Sequence, residues 1–293
     1  MLKMKKMLLL VLAGFLPGLI SISGCSADPV QNDEDRIVAA VSILPEKAFV
    51  EAVCGDLAEI VVLIPPGYSP QSYELSPNEM ASFRSSDIYF TIGVSAEESS
   101  LLPVASENKE LQIVNLHEAA REKYPEIEIA EGQRDQHIWL SPKRVIAMVH
   151  AIADTMSLAD PKNAETYRSN AAGYIAKLEE LDSRIREKLK GTERRSFIVF
   201  HPAFGYLADE YGLEMHPLEE SGKEASPQRI RELVDMALEE GIKVVFYQAE
   251  ISSRQVQSFA EEIGAELVQL DPLSEDYIGN LDMMTDLILG GAK

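Results

Sequence analysis

The side chains able to do chemistry in this sequence gather in four short segments. The first is Pro65-Pro66-Gly67-Tyr68-Ser69-Pro70-Gln71-Ser72-Tyr73-Glu74-Leu75-Ser76-Pro77, and the second is Asp135-Gln136-His137-Ile138-Trp139-Leu140-Ser141-Pro142. The third is His201-Pro202-Ala203-Phe204-Gly205-Tyr206-Leu207, and the fourth is Leu270-Asp271-Pro272-Leu273. Imidazole and carboxylate groups bind divalent transition metals, and they also equip metal-assisted hydrolases. The hydrolase reading lacks a placed general base: there is no His-Glu-x-x-His, no Gly-x-Ser-x-Gly and no phosphate loop. A lone histidine is more often a hydrogen-bonded structural residue than a ligand, and His117, His150 and His216 are read that way. His137 and His201 differ in having Trp139, or Phe204 and Tyr206, close by, rings that could keep a bound ion dry.

The elements that must position these segments follow from alternation along the chain. Short β-rich runs alternate with helical ones, the pattern of parallel α/β layers. Strands are predicted at Ile37–Leu44, Glu59–Ile64, Asp87–Ile92 and Leu111–Leu116 in the first half. The second half offers Ser196–Phe200, Leu213–Met215, Lys243–Tyr247 and Glu266–Leu270. Three of the four segments begin where a predicted strand ends, and open α/β sheets bind ligands beyond the carboxyl ends of their strands. Two segments come from each half, which puts one shared site in a cleft between two lobes. From Pro161 to Lys190 an apolar stripe runs through Ala164, Tyr167, Ala171, Ile175, Leu178, Leu181, Ile185 and Leu189. Steps of three and four predict one amphipathic helix, about 45 Å long at 1.5 Å per residue. Asp160 is its expected cap, with Pro161 in the first turn and Gly191 as its stop. The expected division is a leader at 1–24, a tether at 25–36, one lobe at 37–159, the helix at 160–191 and a second lobe at 192–293.

Lys3, Lys5 and Lys6 precede an apolar stretch from Met7 to Ile20, the make-up of a signal peptide and too short to span a membrane. It ends in Ile22-Ser23-Gly24-Cys25, which resembles a bacterial lipobox with Cys25 as the lipidated first residue of the mature chain. The polar, acidic stretch from Ser26 to Asp35 suits a tether. Cys54 is then the sole remaining cysteine, so neither a disulfide nor a cysteine-based zinc cluster can form; it reads as a buried thiol. A formal charge of −21 argues against nucleic acid and favours attraction of cations.

Taken in order, with the lipobox ahead and the helix between the second and third, the four segments resemble the zinc- and manganese-binding lipoproteins of ABC importers, the TroA-like cluster A-I family. The resemblance runs from about Ile37 to the C-terminus. It implies an α/β fold of two lobes, each a mostly four-stranded parallel sheet with flanking helices, joined by one long backbone helix. It implies no enzyme but an exported, monomeric receptor, anchored to the membrane by lipid, that delivers its ion to an ABC permease. Carried over position by position, the family's ligands fall on Gln71, His137, His201 and Asp271, with Trp139, Tyr206 and Glu74 around them. Gln71 departs from the pattern, which usually has histidine there; Glu74, three residues on, is a substitute donor. Histidine at 201 is the zinc-type choice, where manganese-type members tend to have a carboxylate. Zinc is therefore favoured over manganese or iron, and a chelate-binding protein or adhesin of the same fold is the alternative. The stretch from Tyr124 to Arg134 carries none of the histidines found in the family's metal-scavenging loop.

Overall fold

Strands buried on both faces need continuous apolar runs, and the sequence supplies them in two sets of four. The computed structural model describes residues 36–130, 132–192, 195–220, 222–249 and 254–291. The predicted leader, Cys25 and the tether up to Asp35 lie outside the described residues.

In the first lobe β1 (Ile37–Val41), β2 (Ala58–Val62), β3 (Ile88–Thr91) and β4 (Gln112–Asn115) form an all-parallel sheet in the order β2-β1-β3-β4. In the second, β7 (Ser196–Val199), β8 (Glu214–Pro217), β11 (Val244–Tyr247) and β12 (Glu266–Gln269) are ordered β12-β11-β7-β8, again all parallel. The inner strands β3 and β7 are buried throughout. All eight predicted strands are present, with ends shifted by a few residues. The largest trim is at Leu44, which opens α1 (Leu44–Cys54) instead of closing β1. Pro45 lies in that helix's first turn, and Glu46 reaches back to accept from the backbone N–H groups of Ser42 (2.8 Å) and Ile43 (3.1 Å), so the chain turns early.

Helices α2 (Pro77–Arg84), α3 (Leu102–Ala105) and α4 (Leu116–Arg121) belong to the first lobe. Helices α7 (Gly205–Tyr211), α8 (Pro227–Glu240) and α9 (Arg254–Ile263) belong to the second. Two short antiparallel hairpins escaped the sequence reading: β5 (Glu128–Ala130) with β6 (Gln133–Arg134), and β9 (Glu219–Glu220) with β10 (Lys223–Glu224).

The long helix is α6 (Ala164–Lys188), and it lies against α5 (Pro142–Ala159), α1 and the final helix α10 (Tyr277–Gly291). The predicted stripe faces inward, with Tyr167, Ala171, Leu178, Leu181 and Ile185 all buried. Its start differs from expectation. Pro161–Asn163 forms a separate 3-10 turn, and the Asp160 carboxylate accepts from Asn163 Nδ2 and Tyr167 Oη, not from backbone N–H groups. The continuous α-helix is accordingly about 38 Å long rather than 45.

Neither lobe is held by α6 alone. One apolar core runs from Ala39 and Phe49 through Leu178 and Leu181 to Met284 and Ile288; a smaller one fills the far side of the second sheet around Ile198, Leu233 and Phe259. The Tyr277 ring meets Phe49 edge-on at 4.9 Å, and its hydroxyl donates to the Trp139 carbonyl at 2.7 Å. Trp139 Nε1 donates to the Pro272 carbonyl at 2.7 Å, and the Arg144 guanidinium stacks 4.6 Å from the Tyr206 ring. Ser141 Oγ donates to Glu210, whose carboxyl is pushed up from its ordinary pKa by burial, against the pull of Ser141 and Lys143. These contacts tie the lobes together. No described helix is long and apolar enough to cross a membrane.

Candidate metal centre

Each of the three facing donor side chains is set by its own local device. Gln71 lies on the proline-rich loop after β2, where the Pro70 carbonyl accepts from Ala96 N–H at 3.0 Å and so fastens the loop to the turn after β3. Ser69 Oγ donates to Gln71 Oε1, fixing the amide. His137 follows the β5–β6 hairpin and precedes a 3-10 turn, Ile138–Leu140, that buries Trp139 with its ring 5.3 Å from the imidazole. Asp135 Oδ1 accepts from the His137 backbone N–H at 2.9 Å and from its Nδ1 at 2.8 Å. His201 follows β7 at the carboxyl edge of the second sheet, and its Nδ1 lies 3.0 Å from Glu219 Oε2 on β9.

Both imidazoles thus give their Nδ1 hydrogen to a carboxylate, which fixes the tautomer and turns a lone pair on Nε2 toward the partner ring. The two Nε2 atoms are 3.4 Å apart, and Gln71 Nε2 lies 3.3 Å from one and 3.2 Å from the other. Donors about 2.0–2.1 Å from a tetrahedral zinc stand roughly 3.3–3.4 Å from each other. The three side-chain atoms therefore already have the spacing of one face of such a tetrahedron. They border a cavity of ≈ 20 Å³ walled by Pro70, Trp139, Ala203, Pro272 and Leu273. That volume holds one water-sized body, which suits a bare ion. A wider cleft of ≈ 450 Å³, bordered by Ser95, Arg134, Gln136 and Glu219, opens onto the same three side chains and supplies a way in.

The structure brings Gln71, His137 and His201 together but leaves the fourth expected donor aside. Asp271 Oδ1 accepts from Leu273 N–H at 2.9 Å, a turn cap after β12, and the residue borders neither cavity; its neighbours Pro272 and Leu273 border the smaller one. Among the described residues no group of three or more His, Cys, Asp or Glu side chains is placed to hold a metal. Glu74 is exposed and borders neither cavity. Trp139 is where the sequence put it, but Tyr206 is not against the imidazoles: its hydroxyl accepts from Ile127 N–H at 3.4 Å and its ring lies under Arg144. Of the histidines set aside, His117 is bonded to Glu126 and His150 is exposed on α5. His216 lies on β8, where burial holds its pKa down.

Two residues the sequence reading did not single out are the carboxylates behind the imidazoles. Asp135 carried a signal, since an acid two residues before a histidine can reach its ring. Glu219 carried none, being 18 residues from His201 inside an acidic run. Gly205 matters to the first of them. A Cβ there would stand 2.3 Å from Asp135 Oδ2, so only glycine leaves room for that buried carboxylate.

Two parallel-sheet lobes backed by one long helix, with an imidazole from each lobe meeting at their junction, define a two-lobed solute receptor. The chain belongs to the family described as zinc-uptake complex component A, periplasmic (ZnuA), which matches residues 38–290. The resemblance read from the four segments is thereby borne out. The high-affinity zinc uptake system protein ZnuA of Bacillus subtilis is 30% identical over 270 residues, covering 85% of this chain and 85% of that protein. The zinc-binding lipoprotein AdcA of Streptococcus pneumoniae is 28% identical over 255 residues; the match covers 82% of this chain and 50% of AdcA, so this chain spans about half the length of that relative. The crystal structure of a ZnuA deletion mutant with zinc bound has a TM-score of 0.83 at 32% identity, covering 88% of this chain and 99% of that one.

Proposed function

We propose that this protein is the extracytoplasmic receptor of an ABC importer, capturing zinc between His137 and His201 and delivering it to the permease. The observation that carries the reading is the 3.4 Å separation of two carboxylate-backed Nε2 atoms, one from each lobe. The names of the Bacillus and Streptococcus relatives support zinc as the transported ion. His137 and His201 are the principal ligands. Gln71 joins them through Oε1 once its amide has turned over, and Asp271 fills the fourth position on releasing Leu273 N–H. Trp139 keeps water from one side, and Asp135 and Glu219 offset the charge of the ion.

Zinc enters through the wide cleft, drawn by the acidic surface of the chain. Because the lobes are clamped, capture needs side-chain movement more than domain closure, and docking on the permease has to drive release. Cys25 anchors the chain through lipid and residues 26–35 give it reach; the lipoprotein relative supports this. The receptor works as a monomer and catalyses no reaction.

Trp139 is the one tryptophan of the sequence and touches the site, so its fluorescence reports occupancy. Chelator-stripped protein titrated with zinc, manganese or ferrous iron is expected to bind one equivalent of zinc, more tightly than the other two. Its melting temperature should rise with zinc, by the equivalent of about 2.7 kcal/mol at a hundredfold excess over Kd. Fluorescence and melting indifferent to all three metals would remove the metal-receptor reading.

A further inference from the structure

Two acceptor nitrogens facing one another across the lobe junction require donors, and one side chain supplies both. Each neutral imidazole gives its Nδ1 hydrogen to Asp135 or Glu219, so its Nε2 can only accept. A primary amide carries two N–H bonds on a single nitrogen. Gln71 Nε2 stands 3.3 Å from His137 Nε2 and 3.2 Å from His201 Nε2, while Gln71 Oε1 accepts from Ser69 Oγ. Each polar atom of the three side chains thereby has a partner. The carboxylates also decide which way round the amide sits, since its oxygen facing two acceptors would be repelled. A neutral histidine at position 71 has one N–H and could bridge only one of the two rings.

We propose that Gln71 is an affinity-setting latch: its amide nitrogen bridges His137 and His201 and competes with the incoming metal for the same two lone pairs. As competitor the latch rests on the zinc reading; as bridge it does not. An ion enters only if its bonds to imidazole outweigh two hydrogen bonds, a cost that falls equally on every ion and so lowers affinity without changing the order of metals. The same amide stands ready to take the imidazoles back, which eases release at the permease. The glutamine thus trades affinity for reversibility.

The test compares wild type with Gln71→Ala, which removes the amide, and Gln71→Glu, which keeps the length without an N–H. Stripped of metal, both variants are expected to melt roughly 4 °C below wild type, the shift for two lost hydrogen bonds in a chain of this size. With zinc the order changes: Gln71→Glu should bind at least tenfold more tightly than wild type, having no bridge to break and a charged donor to offer. The Gln71 side-chain amide protons, followed by NMR in stripped wild type, should exchange slowly and be released by one equivalent of zinc. A bystander amide would not respond to zinc. Amide protons that exchange freely in a protein that still binds zinc would overturn the latch alone. Protected protons that no metal releases would overturn the competition and the zinc reading with it.

Discussion

Alanine at His137 or at His201 lowers zinc affinity at least a hundredfold, the largest loss expected of any single substitution in this chain. Structural zinc sites bind with apparent energies of order 10 kcal/mol or more, from three or four donors. Removing one imidazole takes away a full share, about 3 kcal/mol at the least, and that is a factor above one hundred. The two variants should lose similar amounts, because the rings hold equivalent positions: each has a carboxylate on Nδ1, and the Nε2 atoms face each other at 3.4 Å. Competition against a chromophoric chelator measures the change. Unaltered affinity in either variant removes that residue from the site. Asp271→Ala should cost less than either, because that carboxylate has first to leave Leu273 N–H.

Next in size comes the effect of the carboxylates behind the rings. Asp135→Asn and Glu219→Gln keep shape and an acceptor oxygen but lose charge, and each is expected to weaken zinc binding ten- to a hundredfold. A neutral partner leaves the imidazole less basic and no longer fixes which nitrogen bears hydrogen. Gly205→Ala acts in the same direction from the other lobe, because its Cβ would displace Asp135 Oδ2. The competition assay reads all three, and folding is checked by melting the stripped proteins. Wild-type affinity in both carboxylate variants would show that tautomer control contributes nothing here.

Parts of this architecture were visible in the sequence because local physics sets them. The eight sheet strands are short apolar runs between polar breaks, and the α6 stripe repeats at helical spacing through to Ile185. The two hairpins had no such signal: β6, β9 and β10 are two residues each, and β5 pairs with a register shift. Asp160 looked like a cap by type and position, but Asn163 and Tyr167 took its carboxylate. At the site, Gln71, His137 and His201 were named from the family resemblance, position by position, within segments that the chain's own residue types had already marked. Glu219 could not be named, because its meeting with His201 depends on how β9 turns after β8, a tertiary fact. Tyr206 was expected beside the imidazoles on proximity in sequence alone; α7 carries it instead beneath Arg144. The direction of the Gln71 amide was equally hidden, since it follows from two carboxylates distant in sequence.

X-ray absorption at the zinc edge of protein loaded with one equivalent tests the central claim most directly. The site read here predicts a shell of nitrogen and oxygen alone at about 2.0–2.1 Å, with outer scattering from two imidazoles. One of those two should vanish in His201→Ala. A sulfur neighbour at about 2.3 Å, or a shell without imidazole, would place the ion elsewhere in the chain and contradict the account.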